Sequence, residues 1–354
     1  MKSEITLGVV GVRNVGMGHC RRACALDGVK LLAVADTNPE RRAAAKEELG
    51  VEQTYASADD LLARDDIDAV VLALPNHLHE PLTVKALEAG KHVLVEKPMS
   101  RTVEEAERML AARDRSGKTL MVGMNQRFSP AVYAARAAIL EGRIGEVQYT
   151  RAHWTRRRLS AGVWQRGDWF LSAEKSGGGP LLDIGVHKLD LALHLIGFPA
   201  VESVEGACFT GIGSAEAASA GKAYGVEDSC FAMMRLAGGG VLYLESSYFL
   251  NMLEAQASDV AVHGTRGGCV QGGGAGLQLF TVSGDDLAYF EPTPVEGAPS
   301  SCVEHFRNVL RGSETLSSTP EQGRDTMAVI EAIYESARTG ERVSVARPAT
   351  VGAE

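Results

Sequence analysis

The sequence has no long apolar run. A transmembrane helix needs about 20 consecutive, mostly apolar residues, and no span of the 354 residues offers this. The run Ile5–Val10 is short, enters Gly11 and lacks the cleavage pattern of a signal peptide, so it has the character of a buried first strand. We therefore expect neither a membrane span nor a secretory signal.

Cysteine is scarce and scattered. The chain has 6 cysteines and no Cys-x-x-Cys pair. Such a distribution is typical of reduced, buried thiols in the cytoplasm rather than of a disulfide framework or a zinc site. We expect a cytoplasmic protein with no disulfide and no bound metal.

The chain also lacks a block of like charges. Its 36 basic and 45 acidic residues give a net charge of -9, and the basic ones are dispersed. This argues against nucleic acid or an anionic membrane as the main partner, and it favours a small molecule.

The length and the 45% hydrophobic content predict two domains. In residues 1–124, short apolar runs alternate with helical patterns, which predicts a doubly wound parallel sheet of the α/β class. The predicted strands are Ile5–Val10, Leu31–Ala35, Ala69–Leu74, His92–Val95 and Leu120–Val122.

Residues 125–354 have a different pattern. One predicted helix (130–141) precedes longer β-rich segments joined by glycine turns, which predicts a mostly antiparallel sheet in a second, mixed domain. The predicted strands are 147–154, 201–209, 229–236, 241–249, 259–264 and 277–282, and the predicted final helices are 303–310 and 321–336.

The turn after the first strand contains glycine at Gly11 and Gly16, and we expect the following helix to begin near Gly18. A dinucleotide-binding turn usually has a further glycine where this chain has Arg13. Two interpretations remain open here, a pyrophosphate site and a tight turn without a ligand.

Asp36 ends the second predicted strand, where a carboxylate binds the adenosine ribose and repels a 2′-phosphate. This favours NAD over NADP. The alternative interpretation of Asp36 is a helix-capping residue. Nearby Arg41 and Arg42 would also weaken the repulsion between Asp36 and a 2′-phosphate.

Two further segments follow strands at the carboxyl edge of the predicted sheet, where open parallel sheets bind ligands. The segment 74–79 contains His77 and His79, but no carboxylate or cysteine cluster accompanies them, so we do not predict a metal site. Glu96-Lys97-Pro98 places a lysine where it can orient a substrate hydroxyl.

In the glycine-rich segment 177–190, Asp183 and His187 would share one face of a helix. They are either two proton-handling groups or a capping aspartate with a core histidine. The preceding segment 154–169 combines tryptophan with arginine, which suits a sugar ring with an anionic group or, equally, a solvated loop.

Together these motifs resemble the Gfo/Idh/MocA oxidoreductase family over nearly the whole chain. The resemblance depends on the glycine turn with His19, on Pro75-Asn76 and His79, on Glu96-Lys97-Pro98, on residues 125–128, and on the glycine run into Asp183 and His187. Later segments agree, namely the glycine turn 263–267 and the last helix, near 335–340.

The resemblance implies a Rossmann domain (1–124) that binds NAD, and an α+β domain (125–354) whose large open sheet binds substrate on one side and forms homodimers or homotetramers on the other. It implies that Lys97-Pro98 is a cis peptide, and that Lys97, Asp183 and His187 are catalytic. The expected cofactor-binding residues are Gly11, Arg13, Asn14, Val15, Gly16, Asp36, Leu74, Pro75, Asn76, His79, Glu96, Lys97 and Asn125. The expected substrate-binding residues are Arg127, Trp154, Arg156, Trp164, Asp168, Trp169, Asp183 and His187.

Three functions follow from the resemblance. The first is hydride transfer between NAD and a ring hydroxyl or ketone of a sugar or cyclic polyol. The second is a glycosidase or lyase that uses transient NAD-dependent oxidation, and the third is a dinucleotide-binding regulator without catalysis. The presence of Lys97, Asp183 and His187 together counts against the regulator.

Overall fold

The computed structural model describes residues 4–158, 167, 169–272 and 276–346. Its internal contacts divide the chain into two compact units. Unit 1 contains residues 1–128 and 299–324, and unit 2 contains residues 129–298 and 325–354. The chain therefore returns to unit 1 near its C-terminus, which the sequence analysis does not anticipate.

Unit 1 contains a parallel sheet with the strand order β3-β2-β1-β4-β5-β6, six strands in the described residues. The strands are β1 (Ile5–Val10), β2 (Val29–Ala35), β3 (Gln53–Tyr55), β4 (Ala69–Leu72), β5 (His92–Glu96) and β6 (Leu120–Gly123). Every residue of β4 is buried, because helices cover both faces of such a sheet. The order reverses between β1 and β4, which creates a ligand-binding crevice at their carboxyl ends. The predicted Rossmann sheet is confirmed.

The helices of unit 1 follow local capping signals. Asn38 accepts hydrogen bonds from the N–H groups of Glu40 and Arg41, and Pro39 occupies the first helical position. The helices are α1 (Asn14–Cys24), α2 (Pro39–Leu49), α3 (Ala58–Leu62), α4 (His79–Glu88) and α5 (Val103–Ser116). Helix α1 begins at Asn14, so the predicted start near Gly18 was too late.

Unit 2 contains a second sheet with the order β14-β13-β12-β11-β7-β10-β9-β8-β15, nine strands in the described residues. Neighbouring strands are antiparallel except β7 and β10, which pair in parallel, so the sheet is not a simple meander. The strands are β7 (Val147–Arg157), β8 (Val201–Phe209), β9 (Ser229–Leu236), β10 (Val241–Leu250), β11 (Gln256–Gly264), β12 (Gly267–Gly272), β13 (Leu277–Ser283), β14 (Asp286–Phe290) and β15 (Val343–Ser344).

The helices of the remaining chain are α6 (Pro130–Leu140), α7 (Ala173–Ser176), a π-helical turn (Leu181–Gly185) that continues into α8 (Val186–Leu195), α9 (Gly211–Ser219), α10 (Cys302–Leu310) and α11 (Pro320–Thr339). A π-turn adds a residue to the helical ladder and is frequent at functional sites. In the described part of the chain, no helix combines the length and apolar character that a bilayer span requires.

Candidate active site

The glycine turn of unit 1 is sterically restricted to glycine at two positions. Gly11 has a φ of +84°, and a Cβ there would overlap the carbonyl oxygen of Ala73. A Cβ at Gly16 would overlap the carbonyl oxygen of Gly11. The turn brings β1 directly into α1, whose first N–H groups have no partners within the helix and form a ready anion-binding site.

Arg13 does not disrupt this turn. Its φ of -74° and ψ of 179° are extended values that any residue adopts, and its side chain is exposed. The missing glycine therefore costs no backbone strain. Asn14 and Val15 are exposed beside it, at the first positions of α1.

Asp36 holds the glycine turn through its side chain. Its Oδ2 accepts a hydrogen bond from the N–H of Val12 at 3.0 Å, and its Oδ1 accepts one from the N–H of Asn38 at 2.9 Å. The cap of α2 is Asn38, so the alternative of a capping aspartate does not apply. Arg41 lies 3.5 Å from the carboxylate, whereas Arg42 donates to the main-chain oxygen of Asp36 at 2.6 Å.

Glu96 lies at the centre of a buried polar cluster. Its Oε1 is 2.7 Å from His19 Nε2 and accepts a hydrogen bond from Asn125 Nδ2 at 3.2 Å. Cys302 Sγ in turn donates to Asn125 Oδ1 at 2.8 Å. Burial disfavours a charged His19, but Cys302 and the Glu96 carboxylate outweigh it and raise the pKa of His19 to about 10. The cluster ties helix α1 to the end of β5.

Lys97 follows Glu96 and is the one partly exposed residue in the stretch 93–100, all of which is described. Its N–H donates to Glu96 Oε2 at 3.2 Å. The Lys97-Pro98 peptide is cis, which confirms the prediction. The buried strand thus presents one lysine side chain at its carboxyl end.

The loop 74–79 lies beside this segment. His79 is fully buried, with Nδ1 2.7 Å from the carbonyl oxygen of Pro98 and Nε2 2.9 Å from that of Leu74. Burial lowers the pKa of His79. Since both ring nitrogens face main-chain oxygens, His79 joins two loops rather than reaching a cofactor itself. Leu74, Pro75 and Asn76 remain candidates for cofactor contact.

Arg127 differs from its prediction. It is only 1% exposed, and its Nη1 donates to the carbonyl oxygen of Ser317 at 2.6 Å and to Gln322 Oε1 at 2.5 Å. A buried guanidinium needs such partners. Arg127 therefore holds the returning segment within unit 1 instead of meeting a substrate.

In unit 2, the continuous helix of the π-turn and α8 presents only two side chains. Every residue of Leu181–Leu195, a fully described stretch, is buried except Asp183 and His187. Trp154 on β7 lies beside them, with its ring 6.1 Å from the His187 ring. The interpretation of His187 as a core histidine does not fit this pattern.

Two residues that the sequence analysis missed support this helix. Tyr248 Oη donates to Asp183 Oδ2 at 2.8 Å. Glu227 accepts hydrogen bonds from the N–H groups of Gly179 at 2.8 Å and Leu181 at 3.0 Å, and from Tyr334 Oη at 3.0 Å. Burial raises the pKa of Glu227, against the effect of these hydrogen bonds. Both residues are distant in sequence from the helix that they support, so no local motif indicates them.

The predicted substrate residues Trp154 and Trp169 pack against one apolar cluster that includes Ile184 and Tyr248. Arg156 lies over the Trp154 ring, with Cζ 5.0 Å from the centroid. Buried Lys188 is on the same ring at 5.6 Å, and burial lowers its pKa to about 8. Trp164 and Asp168, also predicted, are outside the described residues.

Metal ligation has no support among the described residues, which contain no group of three histidine, cysteine or acidic side chains placed to hold an ion. The six cysteines are free thiols. The glycine turn, Asp36 and the helix N-terminus instead fit a dinucleotide. Their main-chain donors suit a pyrophosphate, and the carboxylate suits a ribose.

Known proteins share these features. Residues 5–124 match the family model of the Gfo/Idh/MocA oxidoreductases, described as an NAD-binding Rossmann fold, and residues 132–270 match a model of the Gfo/Idh/MocA C-terminal domain. D-glucoside 3-dehydrogenase of Escherichia coli K12 is 31% identical over 98% of this chain and 100% of its own length. 1,5-Anhydro-D-fructose reductase of Ensifer adhaerens is 27% identical over 96% of this chain and 98% of its own.

Among solved structures, levoglucosan dehydrogenase in complex with NADH has a TM-score of 0.84 at 26% identity, covering 98% of this chain and 100% of that chain. The relatives match over their full length, and the matched region includes both sheets and the glycine turn. The chain belongs to the Gfo/Idh/MocA family of NAD-binding oxidoreductases.

Proposed function

We propose that this protein oxidises a ring hydroxyl of a sugar, sugar derivative or cyclic polyol, or reduces the corresponding ketone, with NAD as the hydride carrier. The observation that carries the proposal is the helix 181–195, which buries every side chain except Asp183 and His187. A helix that exposes only a carboxylate and an imidazole is suited to proton transfer.

In the oxidative direction, His187 takes the proton of the reacting hydroxyl. We assign to Asp183 the orientation of the reacting hydroxyl, and to Lys97 the stabilisation of the negative charge that develops in the reaction. Bound NAD would supply the hydride acceptor for the hydrogen on the carbon that carries this hydroxyl. We assign cofactor binding to residues 1–124, and substrate binding and assembly to residues 125–354.

A carbohydrate substrate is supported by the names of the three relatives described above, each of which names a carbohydrate. Trp154 lies beside His187 and Trp169 packs on the same apolar cluster, so both supply aromatic surface near the proton-transfer pair. Arg156, held over Trp154, supplies a charged donor at the same place.

The test is NADH formation by the purified protein, measured by absorbance with NAD or NADP and a panel of glycosides, anhydro sugars, free aldoses, sugar phosphates and inositols. We expect NAD-linked oxidation of one ring class. Glycoside cleavage without net NADH would favour the redox-assisted hydrolase or lyase, and dinucleotide binding without any turnover would favour the regulator.

We further propose that the protein forms homodimers or homotetramers through the face of the second sheet that lies opposite α8. Strand register places the exposed apolar side chains of this sheet on that one face. They are Tyr149, Phe209, Val282, Leu287 and Tyr289, of which Tyr289 is 64% exposed.

An apolar face of this kind usually marks an interface, and light scattering of the purified protein measures its effect. We expect the variant Tyr289→Lys to shift the mass toward the monomer. Retention of the same mass in this variant and in Leu287→Lys would contradict the assignment of this face.

We also place the protein in the cytoplasm, where six free thiols persist.

A further inference from the structure

Tyr248 directs its hydroxyl at the carboxylate of Asp183. Its ring is fully buried, and Oη donates to Asp183 Oδ2 at 2.8 Å. We propose that Tyr248 is a positioning residue, which fixes the rotation of the Asp183 carboxylate for the reaction. The inference rests on the proposed function, because it needs Asp183 to act on a substrate.

The position of Tyr248 is itself fixed. It lies near the end of β10, where the register against β7 shifts between Ser247 and Leu250. Its N–H donates to the carbonyl oxygen of Asp228 at 2.9 Å. Its ring packs against Phe170 at 5.8 Å and, edge to face, against Phe249 at 6.4 Å. These contacts leave the hydroxyl little freedom to move away from Asp183.

The main chain of Asp183 is fixed separately. Its N–H donates to the carbonyl oxygen of Gly179 at 3.0 Å, and Glu227 holds the N–H groups of Gly179 and Leu181. The hydrogen bond from Tyr248 then restricts the side-chain torsions that remain. With one carboxylate oxygen held, the direction of the other is set as well.

A tyrosine is chemically suited to this task. Its neutral hydroxyl donates to the carboxylate without adding a second charge beside it. The apolar surroundings, which include Ile184 and Phe249, strengthen the hydrogen bond by excluding water. A carboxylate held in one orientation is already aligned with the substrate hydroxyl, and such alignment lowers the barrier of the chemical step.

The test compares Tyr248→Phe with Tyr243→Phe in the full-length protein. Tyr243 is a matched control, because it lies on the same strand, β10, and its register against β7 places it on the face of the sheet opposite α8, away from Asp183. We expect Tyr248→Phe to lower kcat by roughly ten- to one-hundred-fold, the effect of losing a hydrogen bond to a charged group. KM for the sugar should change by less than about threefold, and the deuterium isotope effect on kcat should rise. Tyr243→Phe should retain kcat within about twofold.

Crystal structures of both variants give a readout that needs no substrate. We expect one Asp183 rotamer in the wild type and in Tyr243→Phe, and more than one in Tyr248→Phe. An unchanged rotamer in Tyr248→Phe, or equal losses of kcat in the two variants, would overturn the proposal. If the wild type oxidises no sugar, the proposed function fails, and the rotamers alone decide whether Tyr248 positions Asp183.

A second variant covers the case in which Tyr248→Phe does not fold. Ring-fluorinated tyrosine at position 248 keeps the shape of the side chain and makes the hydroxyl a stronger donor. We expect kcat to change progressively with the number of fluorine atoms while Tm stays nearly constant. A constant kcat across this series would overturn the proposal.

Discussion

In unit 1, the groups suited to bind a cofactor are main-chain N–H groups and loop residues at the carboxyl ends of parallel strands. In unit 2, the groups suited to act on a substrate are two side chains on a buried helix. The glycine turn is recognisable from Gly11 and Gly16, which lie in one short segment, although Asp36 and Ala73 also border it. Asp183 depends on Tyr248, 65 residues away. We therefore expect changes in the glycine turn of unit 1 to alter cofactor affinity, and changes in or beside helix 181–195 of unit 2 to alter the chemical step.

The largest effect should follow from His187→Ala. Loss of the base should lower kcat by about 10²- to 10⁴-fold, the usual contribution of a general base. The Kd of NAD should stay within about twofold, because the glycine turn and Asp36 are unchanged. Steady-state kinetics and calorimetry on the same preparation measure both quantities. Unchanged turnover would remove His187 from the base role.

The opposite pattern, weaker NAD binding with little change in kcat, should follow from Gly11→Ala. The added Cβ would overlap the Ala73 carbonyl oxygen, and the φ of +84° is unfavourable for alanine. We expect the Kd of NAD to rise by at least about tenfold, with kcat at saturating NAD changed much less. Gly50→Ala is the matched control, because Gly50 also has a positive φ but its Cβ would meet open space. Equal effects of the two substitutions on the Kd would show that general destabilisation, and not the turn, is responsible.

The difference between the units also explains which parts of the protein could be predicted from sequence. The Rossmann sheet, Asp36 and Lys97 belong to short motifs in which neighbours along the chain determine the geometry. Glu227 and Tyr248 act across strands, where their identity carries no local signal. Arg127 shows a different error, that of a residue wrongly included in the site. It was predicted to contact substrate, but its guanidinium donates to Ser317 and Gln322. The exposure pattern of helix 181–195 depends on the sheet that covers it, so the sequence left two interpretations open. The roles assigned to Lys97, Asp183 and His187 stay predictions.

A smaller effect on chemistry should follow from Glu227→Gln. Glutamine offers one carbonyl oxygen where Glu227 uses two oxygens to hold Gly179 and Leu181, so one N–H loses its acceptor. We expect kcat to fall by about tenfold, since an unsatisfied buried donor costs about 1–3 kcal/mol, while NAD affinity is retained. Hydrogen exchange of the amides in 179–187 should become faster. Unchanged exchange and unchanged kcat would show that the turn does not need this carboxylate.

Within unit 1, His19 predicts a pH dependence of stability. Its folded pKa of about 10 exceeds the ordinary value of 6.5, so its contribution is fully present below pH 6.5 and is lost as the pH rises through about 10. Between these limits the free energy of unfolding should fall by about 1.4 kcal/mol per pH unit from this group. Chemical denaturation of His19→Gln should show a flatter profile, whereas the exposed control His263→Gln should match the wild type. Equal slopes in all three proteins would contradict a protonated His19.

The smallest effect should follow from Arg13→Gly, which restores the usual glycine of the turn. The backbone of Arg13 needs no glycine, because its φ of -74° is ordinary, and its side chain is exposed. If main-chain groups alone bind the pyrophosphate, the Kd of NAD should change by less than about threefold, with kcat unchanged. A tenfold weaker Kd that becomes less sensitive to salt would instead show that the guanidinium binds the phosphates. Unit 1 would then share with unit 2 a dependence on an individual side chain, and the contrast between them would be one of degree.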